Sequence, residues 1–341
     1  MKIRKEELQQ ALSIVKPGLA GKELIEQTTS FAFIGGCVIT YNDEISIQHP
    51  VPSLKDLTGA VYADELYKIL SKLKGDEIEL SFSDSEILLE SGRTKAGMTL
   101  QTEIKLPLTQ EIKEKGKWFS LPAKFTEYLQ FAISSCSKDQ SQLILTCIHV
   151  DESGIVEASD GYRLTRCTLG EEMPVETFLL PASSAVEVIR INPTEISYGK
   201  GWIHFKTPEN TILSCRIVED VYPNTTHLLK VEGERLILPS SLGEALDRAN
   251  VFAKREHTIQ ETVEIELLKN RLKVGSRSET GWFEEQLNIK YDGPSISFLI
   301  TPYLLKGVLN ETDGCIYNET RLKFEGEGWV YITMLKEKAK R

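Results

Sequence analysis

The sequence repeats itself three times at a nearly constant spacing, and this repeat constrains the fold more than any other feature. Three segments with the pattern of amphipathic helices begin at residues 3, 120 and 237, each 117 residues after the last. With that offset the apolar residues align in three sets: Leu8 with Phe125 and Leu242, Leu12 with Leu129 and Leu246, and Val15 with Ala132 and Ala249. Spacings of four and three residues place each repeat's set on one helical face. The repeat therefore predicts three copies of one structural unit.

A second helix and several strands recur within each copy. The second helical segments begin at residues 61, 180 and 300. Between the helices, apolar and polar residues alternate, as in residues 78–82 and 263–267, with the period of a β-strand. We therefore predict an α+β fold class, with three similar domains that each pack two helices on antiparallel sheets. The alternative is a coincidence among ordinary helices.

Three domains need two boundaries, and a total length of 341 residues suits two or three domains. The charged residues 111–117 are typical of a linker, and a second linker is expected near Lys230. We predict domains at residues 1–116, 117–229 and 230–341.

The composition excludes several classes of protein. The longest weakly polar run, residues 31–39, is too short to span a membrane, and residues 1–7 are charged, without an apolar signal core. The six cysteines are scattered and form no Cys-x-x-Cys pair, which favours reduced thiols over disulfides or zinc. We expect a soluble, cytoplasmic protein that binds no membrane, no metal and no cofactor.

Motifs of catalysis are also missing from the sequence. It contains no metalloprotease, phosphate-loop, nucleophile-elbow or dinucleotide-binding motif, and the five histidines have no metal-like spacing. Asp160 is a conceivable catalytic acid, but an Asp-Gly pair more often makes a turn. We therefore predict no catalytic residues.

The net charge of −10 argues against a nucleic-acid partner, but the charge is unevenly distributed. The six helical windows, residues 3–16, 62–75, 122–140, 182–191, 240–255 and 302–311, hold 13 basic and 10 acidic residues. The rest of the chain holds 27 basic and 40 acidic residues. This difference suits helices that face a polyanion, and it equally suits solvated helix faces that are less acidic by chance.

Residues 158–164, Ala-Ser-Asp-Gly-Tyr-Arg-Leu, resemble the Ala-Thr-Asp-Gly-His-Arg-Leu signature of the bacterial sliding clamp, the beta subunit of DNA polymerase III. Residues 214–216 with 222–224, and 284–285 with 291–293, resemble other clamp motifs in the same order. Residues 331–334, Tyr-Ile-Thr-Met, are similar to the family's closing segment. The resemblance covers nearly the whole chain and is strongest over residues 120–335.

The resemblance implies the DNA-clamp fold and a non-catalytic processivity factor. In this family two three-domain chains close head to tail into a ring that holds double-stranded DNA by topology. Weak, sequence-independent attraction from basic residues of the inner helices is then sufficient. The DNA-binding positions implied by the resemblance are Lys22, Lys72 and Arg190, and the helix-surface candidates beside them are Lys124, Arg248 and Lys306.

The resemblance also implies a hydrophobic pocket between domains two and three for short peptides of the replicative DNA polymerase, the clamp loader and other partners. The matching positions are Leu145, Ser159, Gly161, Tyr162, Arg163, Leu164, Pro223, His227, Leu228, Tyr303, Met334 and Leu335. The chain departs from the family at His227, which replaces an arginine, and at Leu335, which replaces a proline.

For closure of the homodimer, the resemblance pairs Ala96 and Met98 of one chain with Val251 and Phe252 of the other. Ala96 replaces a larger residue, and a smaller buried contact weakens an interface. The affinity of the dimer is therefore left open by the sequence. As a separate alternative function, we consider a clamp-fold protein-binding module that does not encircle DNA.

Overall fold

The computed structural model describes residues 1–108 and 116–337 of the chain. Within these residues the α-helices are α1 Lys5–Val15, α2 Ala63–Lys72, α3 Phe125–Ile133, α4 Ala182–Ile191, α5 Leu242–Ala253 and α6 Pro302–Lys306.

The strands of the first third of the chain are β1 Lys2–Arg4, β2 Ser30–Ile34, β3 Cys37–Tyr41, β4 Ile45–Pro50, β5 Gly59–Tyr62, β6 Glu77–Phe82, β7 Glu86–Ser91 and β8 Thr94–Thr99. Those of the second third are β9 Phe119–Ser120, β10 Cys147–Val150, β11 Ile155–Ser159, β12 Arg163–Thr168, β13 Phe178–Pro181, β14 Glu195–Gly199, β15 Trp202–Lys206 and β16 Ile212–Arg216. Those of the last third are β17 Glu234–Ile237, β18 Val263–Leu268, β19 Arg271–Arg277, β20 Trp282–Asn288, β21 Ile296–Ile300, β22 Gly314–Tyr317, β23 Arg321–Gly326 and β24 Trp329–Met334.

These elements follow one order three times: a strand, a helix, four strands, a second helix and three strands. We call the three runs segment 1 (β1 to β8), segment 2 (β9 to β16) and segment 3 (β17 to β24). The predicted α+β class with three similar units is confirmed, and all the strand pairs within the sheets described below are antiparallel.

The helix starts differ from the sequence-based expectation. The residues that open the predicted first helices belong to strands β1, β9 and β17, and the helices α1, α3 and α5 begin two to five residues later. The reason is tertiary, because each short strand pairs with a partner far along the chain, as Ile3 does with Ile78. Pairing satisfies the backbone donors and acceptors of these residues as well as a helical turn would.

The predicted apolar faces form the core. All nine aligned residues of the first helices, among them Leu12, Leu129 and Leu246, are buried. In the second helices Leu66, Ala185 and Leu305 are buried in the same way. The helical period in the sequence therefore identified the core-facing side of each helix correctly.

The chain divides into two compact units that do not follow the predicted boundaries. The first unit contains residues 1–130 and 172–219, and the second contains residues 131–171 and 220–341. The boundaries after residues 116 and 229 remain predictions. Residues 111–115 of the predicted linker, and 338–341 of the tail, lie outside the described residues.

Each unit contains one sheet that joins two segments and one that does not. In the first unit a sheet has the order β5-β2-β3-β4-β16-β15-β14-β9, so that segments 1 and 2 join at the pair β4–β16. In the second unit seven strands of the other eight-stranded sheet, in the order β10-β11-β12-β24-β23-β22-β17, join segments 2 and 3 at the pair β12–β24. We call these two the joined sheets.

The two remaining sheets have four strands each, in the orders β1-β6-β7-β8 in the first unit and β20-β19-β18-β21 in the second. We call them the open sheets. Within the described part of the chain, the edge strands are β1 and β8 in the first of these sheets and β20 and β21 in the second.

No helix among the described residues is long and apolar enough to cross a membrane. Across the same residues, no group of three or more histidine, cysteine or acidic side chains could hold a metal ion.

Candidate functional site

The candidate pocket is built on the turn that joins β11 to β12 in the second unit. Asp160 shapes this turn, because its Oδ1 accepts hydrogen bonds from the backbone amides of Tyr162 and Arg163, both at 3.0 Å. Gly161 has a φ of +84°, a left-handed conformation that glycine adopts without strain. The Ser159 hydroxyl closes the turn by donating to the carbonyl of Arg163 at 2.7 Å. Asp160 therefore serves as a turn-forming residue, as the Asp-Gly pair predicts.

The Arg163 side chain is held by two contacts of the second unit. Its Nε donates to Asp160 Oδ2 at 3.0 Å, and its guanidinium lies 4.9 Å from the centre of the Tyr303 ring. Both partners of the ion pair are largely buried. Burial, together with the nearby carboxylate, raises the pKa of Tyr303 to about 12. The charge of Arg163 is therefore compensated, and its position is fixed.

An open pocket lies beside this turn. Seven of the predicted pocket residues line it: Ser159, Gly161, Tyr162, Arg163, Leu164, Leu228 and Met334. Strand β24 provides its floor, because Leu164 pairs with Ile332 and the Met334 amide donates to the Tyr162 carbonyl at 2.9 Å. The pocket therefore has apolar walls with polar groups at its mouth, which suits a short peptide.

The other five predicted residues do not line this pocket. Pro223 and His227 are exposed, Leu145 is half-buried, and Leu335 is buried in the core cluster of the second unit. Tyr303 lies behind Arg163 rather than at the pocket. Whether any of the twelve contacts a peptide remains a prediction.

Two lining residues were not selected from the sequence, Ile332 and Arg321. Arg321 faces the pocket because strands β23 and β24 pair Arg321 with Met334. The available signal was the alternation along residues 321–324, which puts Arg321 on the side opposite the buried Leu322.

A buried polar network fixes the segment that carries Leu228. The Glu157 side chain, 4% exposed, joins His149 Nδ1 at 3.0 Å, and its Oε2 accepts from Arg166 Nε at 2.9 Å and from Thr225 Oγ1 at 2.6 Å. Burial alone would raise the pKa of the Glu157 carboxyl, but these hydrogen bonds and the Arg166 charge outweigh it and hold the pKa below its usual value. The Leu228 amide in turn donates to the Thr225 carbonyl at 2.9 Å, so the network positions one wall of the pocket.

The six candidate DNA-binding residues differ in their local partners. Lys22, in the loop after α1, and Lys72, at the end of α2, are exposed, and no described residue forms an ion pair with either. Lys124 precedes α3 and lies 5.9 Å from the centre of the Tyr128 ring. All six are exposed to solvent.

The other three candidate cations are already paired with carboxylates. Arg190 Nε contacts Glu187 at 2.6 Å, and its terminal nitrogen also donates to the Ile14 carbonyl. Arg248 forms a two-pronged ion pair with Glu285 at 2.8 Å, and Lys306 pairs with Asp247. Sequence reasoning missed the pair of Arg248 and Glu285, because these residues are 37 positions apart and are brought together by the packing of α5 on β20.

The four candidate interface residues lie on or beside β8 and β20, which are edge strands of the open sheets. Ala96 and Met98 are half-buried on β8, with their side chains on the same face. Val251, 66% exposed, and the half-buried Phe252 lie near the end of α5. Phe252 packs against Gly281, directly before the exposed Trp282 of β20.

No protein-family model matches the chain, and no curated protein sequence matches it either. Solved structures do match over nearly the full length. The Pseudomonas aeruginosa DNA polymerase III subunit beta sliding clamp matches with a TM-score of 0.85 and 17% identity, covering 99% of both chains. The beta subunit from the DNA polymerase of Streptococcus pyogenes matches with a TM-score of 0.83 and 19% identity, and the DNA polymerase sliding clamp of Bacillus subtilis with 0.82 and 16%, each again covering 99% of both chains. The resemblance noted in the sequence is thereby confirmed for the architecture: the chain has the fold of the bacterial DNA polymerase III beta sliding clamps.

Proposed function

We propose that this protein is a DNA sliding clamp, a non-catalytic processivity factor of a cytoplasmic replication machinery. Two chains associate head to tail into a ring of six domains, with boundaries at 1–116, 117–229 and 230–341 in each chain. The ring encircles double-stranded DNA without reading its sequence and tethers the replicative DNA polymerase, the clamp loader and other partners through their peptides.

One observation carries the proposal: among the described residues, β8 and β20 have no partner strand at the position where the repeat pairs their counterparts. In each joined sheet, the third strand after the first helix of one segment pairs with the last strand of the next segment. These pairs are β4 with β16 and β12 with β24. The corresponding strands left over are β20 of segment 3 and β8 of segment 1. A β20–β8 pair between two chains would complete a third joined sheet in the order β21-β18-β19-β20-β8-β7-β6-β1.

The surface of these edges supports the same pairing. No residue of β8 or β20 is fully buried. By contrast, the junction strands β4 and β12 each have three buried residues. Exposed strand edges with apolar side chains are sites where another chain pairs. Val251 and Trp282, 66% and 63% exposed, supply such side chains beside β20.

Because this pairing is heterologous, with β20 of one chain meeting β8 of the next, it must either close into a ring or extend as a filament. The sliding clamps that share the fold favour closure. A closed ring needs only weak attraction to DNA, which suits exposed Lys22 and Lys72 in a chain of net charge −10.

A second candidate, the clamp-fold binding module that does not encircle DNA, is favoured by the ion pairs of Arg190, Arg248 and Lys306. These pairs reduce the number of cations available to phosphates. The two candidate functions predict different binding: a closed ring stays on circular DNA but slides off linear DNA, whereas the binding module does not distinguish the two.

The deciding experiment uses DNA topology as the readout. Protein diluted until it is monomeric is mixed with a nicked circular duplex and concentrated, and the DNA is then separated by gel filtration before and after one cut by a restriction enzyme. We expect protein to elute with the circle and to be released after the cut. Equal retention on circular and linear DNA, or none on either, would favour the binding module.

A further inference from the structure

We propose that Arg321 makes this pocket selective for peptides that carry a carboxylate next to their apolar anchor residues. The inference rests on the proposed peptide-binding function of the pocket, and it concerns which peptides that pocket accepts.

The Ser159 and Asp160 side chains of the β11–β12 turn already form hydrogen bonds within the turn, so neither offers a free donor to a carboxylate of the peptide. Both oxygens of Asp160 already accept hydrogen bonds from the turn and from Arg163. The Ser159 hydroxyl donates to the Arg163 carbonyl and accepts from the Gly161 amide. The turn is therefore internally satisfied, and no unpaired carboxylate in it repels an anion.

The two arginines that line the pocket differ in their partners. Arg163 has its charge compensated by Asp160 and its face covered by Tyr303. Arg321 is half-buried at the pocket, and within residues 1–108 and 116–337 its guanidinium has no ion pair or hydrogen bond. Lys323, two residues further along β23, pairs with Glu325 instead. The available charge at the pocket is therefore one guanidinium.

A guanidinium with five unused donors beside an apolar surface binds a carboxylate better than any neutral group. Charge-assisted, two-pronged pairs of this kind are among the stronger hydrogen bonds of proteins, and partial removal of water increases their strength. The position of the acid also follows, because Arg321 pairs with Met334 on the neighbouring strand. Strands lie about 4.8 Å apart and an extended peptide advances about 3.3 Å per residue, so the acid belongs one or two residues from the apolar anchor.

The test compares capped pentapeptides that differ only in having a side-chain carboxylate or a side-chain amide at one position. The acidic probes are Gly-Leu-Asp-Leu-Phe and Gly-Asp-Leu-Leu-Phe, and each has an asparagine counterpart in place of the aspartate. Affinities are measured by fluorescence polarisation for the wild type, Arg321→Gln, and Arg235→Gln as a control. Arg235 is an exposed arginine on β17 of the same sheet that does not line the pocket.

We expect at least one acidic probe to bind about tenfold tighter than its asparagine counterpart, as one charge-assisted pair supplies. Arg321→Gln should remove that preference, so that the aspartate and asparagine peptides of a pair bind equally, and Arg235→Gln should keep it. Equal binding of aspartate and asparagine peptides by the wild type would overturn the role of Arg321.

Two further variants test whether the peptides bind in this pocket at all, independently of the role of Arg321. Met334, 43% exposed, lines the pocket, and Leu143, 51% exposed, does not. If Met334→Asp abolishes binding of all probes and Leu143→Asp does not, the pocket stands whatever the outcome for Arg321. If no probe binds the wild type, or Met334→Asp changes nothing, both the pocket and the inference are wrong.

Discussion

The joined sheets bury their junction strands, whereas the open sheets expose the corresponding strands β8 and β20 to solvent. At the junctions, Ser46 pairs with Ser214 and Leu164 with Ile332, and the neighbouring side chains are buried. Strands β20 and β8 have the same places in the repeat as the junction strands, but in the described chain no strand pairs with their outer side. The difference teaches that the described chain contains two of the three junctions that its own repeat defines, and the proposed function assigns the third junction to a second copy.

The largest expected effect comes from placing a charge where the third junction should form. Val251→Asp should weaken dimerisation about 100-fold or more, because the new carboxylate would lose its water without gaining a partner. The monomer should remain folded, since Val251 is 66% exposed in the single chain. Dimer dissociation constants from sedimentation equilibrium measure the effect.

Val186→Asp is the matched control. Val186 is a helical valine that is 51% exposed on α4, outside the predicted interface. Its substitution should leave the dissociation constant within about twofold of wild type. Equal effects of the two variants would show that added charge, and not the open edge, governs association.

The next prediction compares an acid–arginine pair in a joined sheet with one at an open edge. Glu157 and Arg166 are buried together on β11 and β12, whereas Glu285 of β20 and Arg248 are partly exposed. Glu157→Gln should lower the free energy of unfolding by about 2 kcal/mol at pH 7, because it leaves buried donors poorly satisfied. Glu285→Gln should cost less than about 1 kcal/mol, as exposed pairs do. Urea unfolding at a fixed protein concentration measures both.

The same pair predicts a pH dependence with a definite sign. The pKa of Glu157 is lower in the folded protein than in the unfolded chain, so the unfolded chain takes up the proton first as the pH falls. Its stabilising contribution is complete above the unfolded pKa of about 4.3 and is lost as the pH falls through the lower folded pKa. The wild type should therefore lose more stability than Glu157→Gln when the pH is lowered from 6 towards 3. Parallel pH profiles of the two proteins would contradict this role of Glu157.

The smallest expected effect compares segment 1 with segment 3 in DNA binding. Lys22 and Lys72 are exposed and have no ion pair with any residue that the structure describes. Replacing both by glutamine should reduce the slope of log affinity against log salt by about 2. Replacing Arg248 and Lys306 by glutamine should reduce it by less than about 1, because Glu285 and Asp247 already compensate those cations. Equal slopes for both double variants would show that the ion pairs of Arg248 and Lys306 break when DNA binds. A slope for the Lys22 and Lys72 variant equal to that of the wild type would show that these lysines are not part of the DNA-binding surface.

The sequence predicted those parts of the structure that local pattern determines. Leu12, Leu129 and Leu246 were placed in the core because a helix repeats every 3.6 residues, and the turn at Asp160 followed from its Asp-Gly pair. Long-range pairing was not predictable in this way. The helical pattern extends over short strands such as β1, because nothing in the residues around Ile3 indicates a partner at Ile78.

The same limit applies to the candidate site. Most of the lining residues come from the single continuous stretch 159–164, which carries a recognisable motif, and these were identified. Arg321 lines the pocket because β23 pairs with β24, which brings it beside Met334. The partners of Arg248 and Lys306 are 37 and 59 residues away in the sequence. Side chains that meet only through tertiary pairing leave no local pattern, so their roles required the structure.

The claim that β8 and β20 form the missing junction between two copies is tested most directly by sedimentation equilibrium of the unmodified protein at micromolar concentration. The account predicts a closed dimer of two 38.4-kDa chains that does not grow into larger species as the concentration rises. A single 38.4-kDa species at the same concentrations would contradict it, as would an open-ended series of larger assemblies.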